Sequence, residues 1–363
     1  MKQMLILVVI AMLAVPLFAE EAVLIDFSLL VADITVGEGD RPNQNQRTLM
    51  DFSHVAGPSF SERYGPLMKT SLAIANWEVV LASSSRNVQT KSHSFTREAA
   101  SRQHGTVMGL RVHFPVEPFN SWAIVKPPFD IPAFEISTVD ADGTITAQPN
   151  EGGITSVRSR FESAEPGQPA YGVVKNVGAI RELKVRVYGL NFPHALSTIL
   201  VDHLGNERTI FMGHLQFDEW GELIWRNPAY LQEVRNRDIR IVPLYPFSTP
   251  FVKFGGFLIQ RDASRPGGDF VTYFKDVTLI YDLAVLEADR DINDESIWHI
   301  IHTREEARKV WEMERFGHNQ ILRYLEQQRQ ATEAPFDDPT RRRLHGAEGT
   351  ELQQERGQGQ PQQ

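Results

Sequence analysis

From Leu183 the chain alternates. Leu183, Val185 and Val187 fall on one face, Lys184 and Arg186 on the other, which is the period of a half-buried strand. Gly189, Asn191 and Pro193 interrupt the pattern, and Ile199, Leu200 and Val201 resume it. Asp202 to Asn206 then reads as a turn, and Thr209 to Met212 runs on. Phe217, Trp220, Leu223 and Trp225 follow as a dense aromatic group. Short strands joined by Gly, Asn and Asp turns at this spacing predict an antiparallel β-sandwich or jelly roll.

The flanking sequence extends the prediction. Ala22–Val31 reads as a first strand or lead-in to the sheet, Leu49–Phe52 as a short strand, and Trp77–Leu81 as a full one. Ser83 to His104 is polar and predicts a long connection containing a short helix or an exposed loop. In Gly109–Phe114, Leu110, Val112 and Phe114 alternate with Arg111 and His113, and Trp122–Val125 and Phe134–Ile136 follow between prolines. Ile239–Val242, Phe251–Ile259 and Phe270–Leu283 complete the strands. Arg265, Pro266, Gly267 and Gly268 read as a turn closing a final antiparallel hairpin between the last two.

After Leu283 the pattern changes from period two to a helical period. Thr303 and Glu306 have the spacing of a capping box. Arg304 to about Gln330 reads as one helix, with Ala307, Val310, Trp311, Ile321, Leu322 and Leu325 near three-and-four spacing. Such a helix either folds back on the sandwich or forms an arm that docks on a neighbouring subunit. The segment beyond it is rich in Pro, Gly, Gln and Glu, a composition that predicts disorder. The expected organisation is a leader over 1–19, a mainly β sandwich over 20–285, a C-terminal helical extension over 286–330 and a disordered polar tail over 331–363.

Composition narrows the function. The formal net charge is −9 over 363 residues, which argues against nucleic acid as a partner because phosphate neutralisation needs a basic surface. Cysteine is absent, so disulfides, thiolate metal sites, cysteine nucleophiles and a lipidated cysteine are excluded. Met1 to Gln3 carries one positive charge, Met4–Val15 is apolar, and Ala19 precedes Glu20 and Glu21. That is the layout of a secretory signal peptide cleaved after Ala19. It predicts an exported protein without a membrane anchor once cleaved, consistent with a bacterial periplasm.

No catalytic signature emerges. The Gly255-Gly256 and Gly267-Gly268 pairs lack the lysine and helix of a phosphate loop, and there is no Gly-x-Ser-x-Gly elbow. Asp140, Asp142 and Gly143 fit a turn better than a calcium loop, since the closing glutamate is missing. His299 and His302 are half of a zinc site without specified partners. No catalytic residue, metal or cofactor is assigned. The aromatic residues Phe217, Trp220 and Trp225 fill core, meet a neighbouring protein, or stack on sugar rings. With Trp311 on the helix, they are the candidate contact residues for a protein or glycan.

Three stretches carry a family resemblance: Asn176–Ile180 with Lys184–Asn191, Leu215–Trp220, and Asp269–Asp282 with its aromatic-Lys-Asp-Val strand. Asp26-Phe27 and Trp77-Glu78-Val79 add to them. Together they resemble the outer-layer (sheath) proteins of spirochaete periplasmic flagellar filaments, over about Glu21 to Leu283. The long helix and Gln-rich tail depart from that pattern. The resemblance implies a galactose-binding-like jelly roll and a non-enzymatic structural role on the periplasmic flagellar filament. Its partners would be core flagellins, further copies of itself or related sheath subunits, and glycans on the core. Its effect would be on filament stiffness, curvature and cell motility. The alternative is a periplasmic carbohydrate-binding sandwich or a glycan-modifying enzyme.

Overall fold

The computed structural model describes residues 19–34, 43–134, 137–139, 145–147, 159–163, 168–238, 250–284, 292 and 294–333. The leader up to residue 18, the Asp140–Gly143 turn, the Ile239–Val242 strand and the tail beyond residue 333 lie outside the described residues.

Sixteen strands run along the described chain. They are β1 (Glu20–Asp26), β2 (Met50–Asp51), β3 (Lys69–Thr70), β4 (Glu78–Leu81), β5 (Phe95–Ser101), β6 (Gly105–Phe114), β7 (Ser121–Lys126) and β8 (Ser137–Val139). Then come β9 (Ile145–Ala147), β10 (Val173–Lys175), β11 (Val177–Leu190), β12 (Ala195–Asp202), β13 (Glu207–His214), β14 (Asp218–Arg226), β15 (Phe251–Arg261) and β16 (Gly268–Leu283). Two six-stranded antiparallel sheets result. The first has the order β14-β11-β16-β6-β5, with β1 also on β16; the second has the order β13-β12-β15-β7-β4, with β10 also on β15.

Alternation fixes which side of each strand faces the other sheet. Leu183, Val185 and Val187 of β11 and Phe274, Val277 and Leu279 of β16 are fully buried. From the second sheet come Ala123 and Val125 of β7 and Phe257 and Ile259 of β15. The layers meet where the Phe257 and Phe274 rings stack at 4.1 Å with an interplanar angle of 12°. Each of these valine, leucine, isoleucine and phenylalanine side chains removed from water contributes about 1.5–3 kcal/mol. The expected sandwich is therefore observed.

Three expectations are corrected. Ser83–His104 is not only a connection: Phe95–Ser101 forms the edge strand β5, paired to β6 from Phe95↔Arg111 to Ser101↔Gly105. The Arg265–Gly268 turn does not close a hairpin. It carries the chain from one sheet to the other, because β15 already has β12 and β7 as neighbours and β16 has β11 and β6. The buried Arg261 holds this crossover by donating hydrogen bonds to the carbonyl oxygens of Pro115, Glu117 and Arg265.

The helix also differs. It runs Ile300–Glu333, and Thr303 donates its hydroxyl to the His299 carbonyl at 2.8 Å instead of capping an end. Up to Gln320 it belongs to the compact unit of the sandwich. There its buried side chains are Ile301, Glu305, Glu312 and Phe316, with the Phe316 ring 5.7 Å from that of Phe129. Val310 and Trp311, expected on an apolar packing stripe, are 59% and 57% exposed. The inward face is set by pairing to Lys253 of β15, which recruits the Glu312 carboxylate at 3.7 Å. The remainder of the helix, from Ile321, carries exposed Leu322 and Leu325. Among the described residues no helix is long and apolar enough to cross a membrane.

Candidate functional site

The outer face of the first sheet carries an ordered row of side chains. Register places Tyr188 of β11 opposite Trp220 of β14 and opposite Tyr273 of β16. Tyr273 in turn stands opposite Gly109 of β6, and Gly109 opposite Arg97 of β5. One row thus reads Trp220, Tyr188, Tyr273, Gly109, Arg97 across all five strands of the sheet path. The aromatic rings meet edge to face, Tyr188 with Trp220 at 5.4 Å and with Tyr273 at 5.9 Å. His104, in the turn joining β5 and β6, meets Trp220 at 4.6 Å. Edge-to-face pairs of this kind add about 0.5–1.5 kcal/mol beyond the area they bury. Leu190 and Ile224 are exposed on the same face.

Charges flank the row and pair across strands. Arg186 lies 3.6 Å from Glu222 and 3.3 Å from Asp276. Burial raises the Asp276 pKa above the usual carboxylate range against the opposing pull of Arg186. Arg226 pairs with Glu182 at 3.3 Å, and Lys184 with Glu21 at 3.4 Å. At the other side Asp269 accepts hydrogen bonds from Arg111 at 3.1 and 3.0 Å and contacts His113 Nδ1 at 2.9 Å. Partial burial opposes ionisation of Asp269, but these bonds outweigh it and hold its pKa below the usual range.

The four candidate contact residues do not form one group. Trp220 is on the outer face. Phe217 packs against the core, under Gly189 and Gly221. A Cβ on Gly189 would stand 2.3 Å from the Phe217 carbonyl oxygen, so only glycine lets the chain pass there. Trp225 lies opposite Leu183, half-buried against the core, with the Arg208 guanidinium 5.3 Å from its ring centre. Trp311 is on the helix, exposed, with Arg315 4.9 Å over its ring.

Tyr188 and Tyr273 were not singled out by sequence, although a signal existed. Tyr188 follows Lys184 and Arg186 in the polar phase of its strand, so an aromatic ring there faces outward.

For metals, His302 is engaged with Glu306 at 3.2 Å, and His299 sits in the left-handed region at φ 50° before the helix. Among the described residues no three His, Cys, Asp or Glu side chains gather to hold an ion. What the face carries is a row of half-buried aromatic rings between charged rims, with the His104 ring of the β5–β6 turn against Trp220. Aromatic side chains at the centre with charge at the edge also occur on surfaces that bind other macromolecules.

Comparison with known proteins supplies the family. A family described as flagellar filament outer layer protein Flaa matches residues 41–290. The flagellar filament outer layer protein of Treponema pallidum (strain Nichols) is 44% identical over 344 residues, 93% of this chain and 96% of that one. The protein of that name from Spirochaeta aurantia is 44% identical over 88% of this chain and 90% of its own. Among solved structures, a carbohydrate-binding module in complex with β-1,4-galactotriose aligns with 57% of this chain and 88% of its own, at 10% identity and a TM-score of 0.26. A superposition that weak carries no functional weight.

Proposed function

Because the chain belongs to the flagellar filament outer layer protein family, we propose that it is a non-enzymatic structural subunit of the filament's outer layer. It is exported through the leader cleaved after Ala19 and lies in the periplasm on a core of flagellins. There it tunes the stiffness and curvature of the filament, and through them motility. One observation carries this reading. The match to the Treponema pallidum protein runs through nearly the whole of both chains, so a whole-protein role transfers better than the property of a shared module.

The sandwich suits the task physically. Its broad faces can make repeated contacts of modest strength, which act together on a long core through multivalency. The test is a deletion strain whose filaments are examined by electron microscopy. Thinner filaments with altered curvature, restored by the intact gene, are expected. Filaments of unchanged diameter and curvature would overturn the reading.

A further inference from the structure

Two rows on the outer face of the second sheet are free of charge. Register sets Phe211 of β13 opposite Ser197 of β12, Ser197 opposite Leu258 of β15, Leu258 opposite Ile124 of β7, and Ile124 opposite Val80 of β4. These five share the outward phase, because the strand neighbours Ile210, Leu196, Ile259, Ala123 and Val79 are core. The next row reads His214, Ala195, Gln260 and Trp122. Phe211 is 52% and Trp122 38% exposed, and His214 and Gln260 are exposed as well. Neither row holds a lysine, arginine, aspartate or glutamate. Charge begins further along the strands, where Glu78 stands opposite Lys126 and where Glu312 of the helix reaches Lys253.

A second exposed apolar surface lies towards the C-terminus. The helix from Ile321 to Glu333 falls in a compact unit of its own. Leu322 and Leu325 are exposed there, on one side with Ile321. Their i, i+3 and i, i+4 spacing is that by which an amphipathic helix docks on a partner. Arg323 and Arg329 balance Glu326 and Glu333, so this stretch carries no net charge.

We propose that this stretch of helix docks along the uncharged rows of the second sheet on another copy of the chain, with Leu322 and Leu325 against Leu258, Ile124 and Phe211. The dimensions agree. The five strands span about 19 Å at roughly 4.8 Å per step, and helix of this extent is about 20 Å long at roughly 1.5 Å per residue.

Charge selects another copy as the occupant. The chain carries −9, so copies repel over most of their surface. A neutral helix on an uncharged face is the pairing that avoids this repulsion. A strongly charged partner would lose hydration on these rows and find no counter-charge. The contact is also heterologous: it leaves a free helix on one copy and a free face on the other, so it propagates into an open array. Its modest strength is what repetition along a filament reinforces. The proposal extends the sheath reading by naming how neighbouring subunits join, and its test needs no filament.

The experiment is sedimentation velocity on the mature full-length chain up to about 100 µM, where contacts of micromolar affinity are populated. Association that continues beyond the dimer as concentration rises, and that salt does not weaken, is expected. Leu322→Gln with Leu325→Gln removes the helix contact, and Phe211→Gln with Trp122→Gln removes the face contact. Each pair should weaken association at least tenfold. The four side chains are exposed and net charge is unchanged, so unaltered melting curves confirm the fold. Mixing the two variants should restore association but stop it at one-to-one, because only one intact helix and one intact face remain in each pair.

A wild-type chain that stays monomeric would overturn the contact. So would a helix variant that still associates, which would mean that the faces meet each other, or a mixture that does not recover. Binding of neutral oligosaccharides by a monomer, lost in Trp122→Ala, would assign the face to sugar instead. Failure here leaves filament retention, measured separately, untouched.

Discussion

The Lys253 ammonium of β15 lies 3.7 Å from the Glu312 carboxylate of the C-terminal helix, and both side chains are less than a tenth exposed. Burial lowers the Lys253 pKa even with Glu312 beside it, and raises that of Glu312 even with Lys253 and Arg308 beside it. Both shifts oppose ionisation, so desolvation outweighs the attraction. The pair specifies where the helix sits more than it stabilises the fold.

Removing one partner should therefore be far worse than removing both. Glu312→Ala leaves a buried ammonium and should cost about 3–5 kcal/mol, whereas Lys253→Met with Glu312→Leu should be close to neutral. Urea denaturation measures both, and hydrogen exchange over 300–320 reports whether the helix stays docked.

His194 makes the fold acid-sensitive. It is 3% exposed among Phe114, Phe192 and Phe270, and neither ring nitrogen has a hydrogen-bond partner among the described residues. Burial, with Arg261 and Arg265 nearby, lowers its pKa from 6.5 to about 4. Between those values the unfolded chain binds the proton and the folded chain does not. Stability should fall as pH drops from 6.5 towards 4, by about 3 kcal/mol in all. In His194→Leu this part of the pH dependence should vanish, as thermal melts across that range would record.

Arg261 should be irreplaceable by lysine. Its guanidinium reaches carbonyls from two separate loops, around residues 115–117 and at 265, and an ammonium lacks that fork. Arg261→Lys should lose about 3 kcal/mol, since hydrogen bonds from charged groups contribute about 1.5–3 kcal/mol each. The midpoint of denaturant unfolding checks this.

Gly189→Ala and Gly221→Ala should differ. The first collides with the Phe217 backbone carbonyl, the second with the Phe217 ring at 2.8 Å. A ring can rotate away and a carbonyl in a strand connection cannot. Gly189→Ala should cost more than about 2 kcal/mol and Gly221→Ala less, again read from unfolding midpoints.

Much of this architecture was legible because alternation is a local signal. Leu183, Val185 and Val187 read as one face of a half-buried strand, and all three are buried. What was missed depended on distant partners. β5 hides in Phe-Thr-Arg-Glu-Ala-Ala-Ser, where an edge strand has little apolar surface to bury. The β15–β16 turn resembles a hairpin because nothing local records that both strands already have neighbours. The helix face was misread because its inward side carries Glu305 and Glu312, the latter bound to a lysine that only the fold brings near. Of the candidate contacts, Trp220 stands on the outer aromatic row, but its companions Tyr188 and Tyr273 are supplied by two other strands. Their outward phase was the available clue.

The central claim is that this chain is part of the filament's outer layer. The direct measurement is to strip the outer membrane with detergent, pellet the periplasmic filaments, wash them in rising salt and quantify the protein in each fraction. Retention on the filaments at physiological salt, with release only at higher salt, is the predicted result. Recovery wholly in the soluble fraction from intact filaments would contradict it.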